Sequence, residues 1–154
     1  MGSPPRTDDE IRTLVAAAAS ELATDEYSLL SWLGRRAFRE LAARYEDLVS
    51  GYRSTRALLG DLDTVIHREV ERLYPEAHSP RFAIEERAGQ LLVHYASDRG
   101  LVAFAIGMIH GAAAHFGEEF TIERVDDGRD PTSACLRLTP VAVEQPGDSW
   151  RPAA

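Results

Sequence analysis

Lysine and asparagine are absent from this 154-residue chain: all 17 basic residues are arginine, set against 25 Asp and Glu, for a formal net charge of −8. Without lysine there is no Schiff-base amine and no P-loop lysine, and without asparagine there is no N-x-Ser/Thr acceptor. The acidic balance disfavours partners recognised through concentrated positive charge, so neither nucleic acid nor an anionic membrane surface is expected. Cysteine is nearly absent as well. Cys135 alone cannot form an intramolecular disulfide, which fits a reducing, cytoplasmic setting. The N-terminus lacks the basic start and apolar run of a signal peptide. Only one long uncharged run occurs, with no Asp, Glu or Arg from Gly100 to Gly117. Two histidines, four glycines and five alanines make it weak hydrocarbon, so a buried amphipathic helix is expected there rather than a membrane span.

The chain as a whole, 44% apolar, suits one ordinary domain with a substantial core. Thr7-Asp8-Asp9-Glu10 reads as a capping box ahead of Ile11, Leu14, Val15, Ala18 and Leu22 at helical spacing, predicting a helix from about Asp8 to Ala23. Thr24-Asp25 opens a second helix, with Leu29, Leu30, Leu33, Phe38, Leu41 and Tyr45, ending near Val49. Ser54 caps a third that carries Leu58, Leu59, Leu62, Val65, Ile66, Val70 and Leu73 and stops at Pro75. After Pro80 the period changes from 3.6 to 2. Phe82 and Ile84, a turn at Ala88-Gly89, and Leu91, Val93 and Tyr95 predict a hairpin. The uncharged helix follows, then strands around Phe120 to Val125 and Cys135 to Leu138. The fold class expected is α+β, an N-terminal helical part followed by an antiparallel four-stranded sheet with one helix inserted between two hairpins. Residues 1–7 are expected to be disordered, 8–143 to form the single domain, and 144–154 to be a polar, proline-containing tail.

Few residues offer chemistry. His67 shares a surface row of the third helix with Asp63, Val70 and Tyr74, where a half-buried histidine is the ordinary expectation. A lone imidazole in an aliphatic helix is also the arrangement that holds a haem iron from a nonpolar wall. Strand alternation puts Tyr95, Ser97 and, if the strand persists, Arg99 on one face, a row suited to paired carboxylates. The competing reading is a strand end where tyrosine packs and arginine reaches water. His78, His94, His110 and His115 are expected to be structural or solvated, and Cys135 packed rather than reactive. No nucleophile–base pair, paired carboxylate or phosphate loop emerges, so no enzyme is expected.

Taken together, Leu62-Asp63-Thr64-Val65-Ile66-His67, Leu73-Tyr74-Pro75, Ser79-Pro80-Arg81-Phe82, Leu91 through Leu101, and Ile106-Gly107 resemble the haem nitric oxide/oxygen-binding (H-NOX) domain family. The resemblance implies haem b, with His67 as iron ligand, Tyr95, Ser97 and Arg99 holding the haem propionates, and Pro80 pressing on the porphyrin. Gly34 matches a family glycine and is taken as packing. Oxygen-binding members carry a tyrosine where this chain has Phe104, which lacks a donor. The implied sensor binds NO and CO and holds O2 poorly, unless Tyr27 points inward. Its implied switch is an iron–His67 bond weakened by NO, with a separate signalling partner such as a histidine kinase or a cyclic-dinucleotide enzyme. The family also carries helices ahead of the one starting near Asp8, so the resemblance implies a shortened member whose distal haem face is open or covered by another chain. The alternatives are a haem carrier or storage protein, or a haem-free ligand- or protein-interaction module on the same fold.

Overall fold

The computed structural model describes residues 8–142. Thr7 of the expected capping box and the tail from residue 144 therefore lie outside the described residues. Helix α1 spans Asp8–Glu21 and α2 spans Glu26–Arg44. Asp25 caps α2, its carboxylate accepting the Ser28 N–H at 2.8 Å. The expected continuation to Val49 is broken at Tyr45, whose φ of −120° and ψ of 49° interrupt the helix before the short α3, Glu46–Val49.

The expected third helix divides. Ser54 caps α4, Thr55–Gly60, by accepting the Ala57 N–H at 3.1 Å. A π-turn over Leu62–Ile66 follows, then α5, His67–Leu73. The widened register is visible in Ile66 N–H to Asp61 O and His67 N–H to Leu62 O, both five residues apart. Apolar periodicity does not reveal it, because a one-residue change of register preserves a continuous apolar stripe.

Strands β1 (Arg81–Arg87), β2 (Gln90–Ala96), β3 (Phe120–Arg124) and β4 (Ser133–Pro140) form an antiparallel sheet in the order β1-β2-β4-β3. The first hairpin turns at Ala88 and Gly89, both with positive φ, as a two-residue turn matching strand twist requires. At the β3–β4 connection, burial pushes the Asp126 carboxyl up. The Cys135 and Gly128 N–H groups and Arg124 outweigh it, holding the pKa down at about 2.

Helix α6, Val102–His115, lies between sheet and α2. Its Ala105, Ile106 and Ile109 meet Val93, Leu136 and Leu138, which are fully buried from the strand sides facing it. Against α2 the backbones nearly touch. A Cβ on Gly107 would stand 2.0 Å from Ser31 O, and one on Gly34 would stand 2.1 Å from Phe104 O. Hence Gly34 is indeed a packing residue, and the uncharged run is a buried helix. Among the described residues no helix is long and apolar enough to cross a membrane.

Candidate functional site

A cavity of about 360 Å³ opens between the helices and the start of the sheet, within the range of small-ligand pockets. Two sets of aliphatic and aromatic side chains form its walls. From α2 and α6 come Phe38, Leu41, Phe104, Met108 and Ile109, and from residues 58–70 come Leu58, Leu62, Ile66 and Val70. His67, Pro80, Tyr95, Ser97, Arg99 and Phe104, separated widely in sequence, all line this one cavity.

His67 stands at the start of α5 because the π-turn delivers it there. Its Nδ1 lies 3.1 Å from Asp63 Oδ1, and the other Asp63 oxygen accepts the Phe82 N–H at 2.8 Å. This orders the imidazole against β1, with the Phe82 ring centroid 5.9 Å away and Tyr95 a further 5.4 Å along. Tyr95 is buried. The strand stops at Ala96, so Ser97 and Arg99 reach the cavity from a turn and not from the extended strand their alternation suggested. That turn is fixed by Gly100 N–H to Ser97 O at 3.1 Å, with Ser97 N–H given to Thr132 O at 2.7 Å. Gly100 has a φ of +62°, and a Cβ there would meet Pro131 O at 2.9 Å. Arg99 is half exposed and already faces one carboxylate, Asp8 at 3.5 Å.

Two cavity residues, His78 and Tyr45, and one partner of His67, Asp63, lay outside the expectations. His78 lines the cavity from the loop before Pro80. Tyr45 also lines it, at the end of α2, with its hydroxyl 2.9 Å from that of Tyr74. Asp63 had a signal in the sequence, since it sits four residues before His67 on the same helical row. Tyr27, which would donate only if it pointed inward, is exposed and is not among the lining residues. His94 is exposed on the other sheet face, 3.9 Å from Glu85. His110 is half-buried, and burial followed by the Arg35 charge lowers its pKa. His115 packs edge-on with Phe38 and Phe116. Burial, then Asp126 and Glu85, pushes the Cys135 thiol up, as suits a packed cysteine.

The donor set matches an iron macrocycle bearing carboxylates. The walls are apolar, one imidazole has its Nδ1 already engaged and its Nε2 left over, and a guanidinium and two hydroxyls line the same cavity.

The Haem-NO-binding family model matches residues 6–124. No curated protein matches the chain. Among solved structures, an H-NOX protein from S. oneidensis in the Fe(II)NO ligation state is 26% identical with a TM-score of 0.82, over 92% of this chain and 79% of that one. The H-NOX domain from Shewanella oneidensis in the Fe(II)CO state is 25% identical with a TM-score of 0.79, over 89% of this chain and 77% of that one. The unliganded Fe(II) H-NOX protein from K. algicida, at 22% identity and a TM-score of 0.81, covers 94% of this chain and 79% of that one and shares the fold.

Proposed function

The chain belongs to the haem-NO-binding family, and from that premise we propose that it is a haem-based sensor of NO and CO, with haem b in the cavity and His67 as the iron ligand. The observation that carries this reading is the convergence of His67, Pro80, Tyr95, Ser97, Arg99 and Phe104 on one cavity. Haem supplies an iron with an open coordination position for a diatomic gas. His67 holds the iron through Nε2 from the α5 side, its orientation set by Asp63. Arg99 would hold a propionate through its guanidinium, and the Tyr95 and Ser97 hydroxyls would donate to the carboxylates. Pro80, rigid at the cavity edge, presses on the ring.

Phe104 contributes no hydrogen-bond donor, and the one phenol on the α2 and α6 wall, Tyr45, is engaged with Tyr74. A bound O2 gains more from a distal donor than NO or CO does, so this wall favours the latter two. Gas binding signals through residues 62–73 to a separate partner, such as a histidine kinase or a cyclic-dinucleotide enzyme.

The test is absorption of protein produced with haem supplied. Wild type shows a Soret band that moves on adding NO to the ferrous form. His67→Ala loses most of it, whereas His78→Ala keeps it. A normal band and normal NO response in His67→Ala overturn the ligand assignment, and a colourless wild type overturns the haem reading.

A further inference from the structure

We propose that Asp63 is a positioning residue that fixes the tautomer of His67 and sets how firmly it grips the iron. This rests on the haem reading above. Both carboxylate oxygens are committed. Oδ1 faces His67 Nδ1 at 3.1 Å, and Oδ2 accepts the Phe82 N–H at 2.8 Å. β1 is an edge strand, so the Phe82 N–H can point away from β2 and be taken by a side chain. Asp63 is therefore anchored to the sheet, with its side chain only 24% exposed and that of His67 17%.

The chemistry follows from the donor rule. A carboxylate oxygen accepts, so Nδ1 carries the hydrogen and Nε2 keeps its lone pair. A carboxylate drawing on Nδ1–H raises the electron density of the ring and makes Nε2 a stronger donor, as in the carboxylate–histidine–metal arrangements of other metalloproteins. The π-turn is the local device that allows it. Its two five-residue hydrogen bonds enclose Asp63 and end at His67, and such turns often occur at functional positions. The sheet thus reaches His67 in two ways, by the Phe82 ring and by a hydrogen bond through Asp63. With haem bound, Asp63 would accordingly strengthen the hold of His67 on the iron and oppose its release on NO addition. Its removal favours release.

The experiment compares ferrous, haem-loaded wild type with Asp63→Asn and Asp63→Ala. Removing such an outer partner typically costs about 10- to 100-fold in metal affinity, so haem transfer to an apo-globin acceptor is expected to speed up by that order. The iron–histidine stretching vibration shifts to lower frequency, and a larger share of the protein is five-coordinate after NO addition. A purely structural Asp63 lowers the melting temperature of the variants but leaves that vibration and the coordination unchanged, which overturns the proposal. A second measurement needs no haem. In 15N-histidine-labelled, haem-free wild type, His67 is expected as the Nδ1–H tautomer with a hydrogen-bonded proton. Finding Nε2–H there overturns the proposal even if the variants fail to fold. A wild type that takes up no haem but shows the Nδ1–H tautomer defeats the haem reading and leaves the Asp63–His67 pairing established.

Discussion

The two walls of the cavity are built on opposite principles. On one side α2 and α6 meet backbone to backbone, with Gly34, Gly107 and Gly111 each facing carbonyl or Cα atoms at distances that leave no room for a methyl group. On the other side, residues 62–73 contain no buried residue, expose Val65 and Leu73 to solvent and begin with a π-turn. The first wall gains its stability from close contact that a side chain would destroy. The second packs on the core through Leu62 and Ile66 and is held besides by Asp63 on the sheet and Tyr74 against Tyr45. A ligand held between them meets one wall that stays and one that can yield, which is what a sensor requires of a bistable element.

The sharpest way to break this comparison is Gly107→Ala. The added Cβ would lie 2.0 Å from Ser31 O, 2.8 Å from its carbonyl carbon and 2.9 Å from its Cα. All three are backbone atoms with no rotamer to escape into. The expected cost is about 3 kcal/mol or more, a fall in melting temperature of roughly 6–12 °C. A variant melting within about 2 °C of wild type would show that α2 and α6 can separate cheaply and that this wall is no more rigid than the other.

Hydrogen exchange in the native protein measures the same contrast without mutation. Amides of α6, buried under both sheet and α2, should exchange only through global unfolding. Those of residues 67–73 should open locally at a free energy lower by about 3 kcal/mol, roughly a 100-fold faster exchange. Equal protection of the two would abolish the distinction.

The contrast also explains what could be read from the chain. The burial of α6 was legible, because eighteen uncharged residues with interspersed glycine suit a buried helix better than a membrane span, and Gly34 was taken as packing; that the two helices meet backbone to backbone comes from the structure. The α+β order and the antiparallel hairpins followed from the change of period at Pro80. The six cavity residues were named through the family resemblance, since neither a lone histidine nor Tyr-x-Ser-x-Arg is specific by itself. The yielding wall was read less well. Its apolar stripe is continuous through α4, the π-turn and α5, so nothing in periodicity separates one long helix from three pieces. Tyr45 and His78 reach the cavity because a helix ends at Tyr45 and His78 lies in the loop between α5 and β1, and both depend on tertiary packing.

The smallest expected effect tests the tether between the walls. Tyr45 ends α2 and Tyr74 ends α5, and their hydroxyls are 2.9 Å apart. Tyr74→Phe removes one phenol from an exposed position and leaves the ring, so the melting temperature should change by no more than roughly 3 °C. Exchange in residues 67–73 should nonetheless quicken while that of α6 does not, because only the yielding wall loses an attachment. The same contact has a pH signature. The hydrogen bond with Tyr74 comes first, then burial, in raising the Tyr45 pKa above its ordinary value of 10.0. A raised folded-state pKa means that the native protein holds this proton more tightly than the unfolded chain does. The contribution is therefore complete below about pH 10 and is lost as the pH climbs through the folded value. Wild type should then approach the exchange pattern of Tyr74→Phe above pH 10, with the variant itself showing little further change there. A large loss of stability in Tyr74→Phe at neutral pH would instead mark the pair as a clamp and make α5 as fixed as α6.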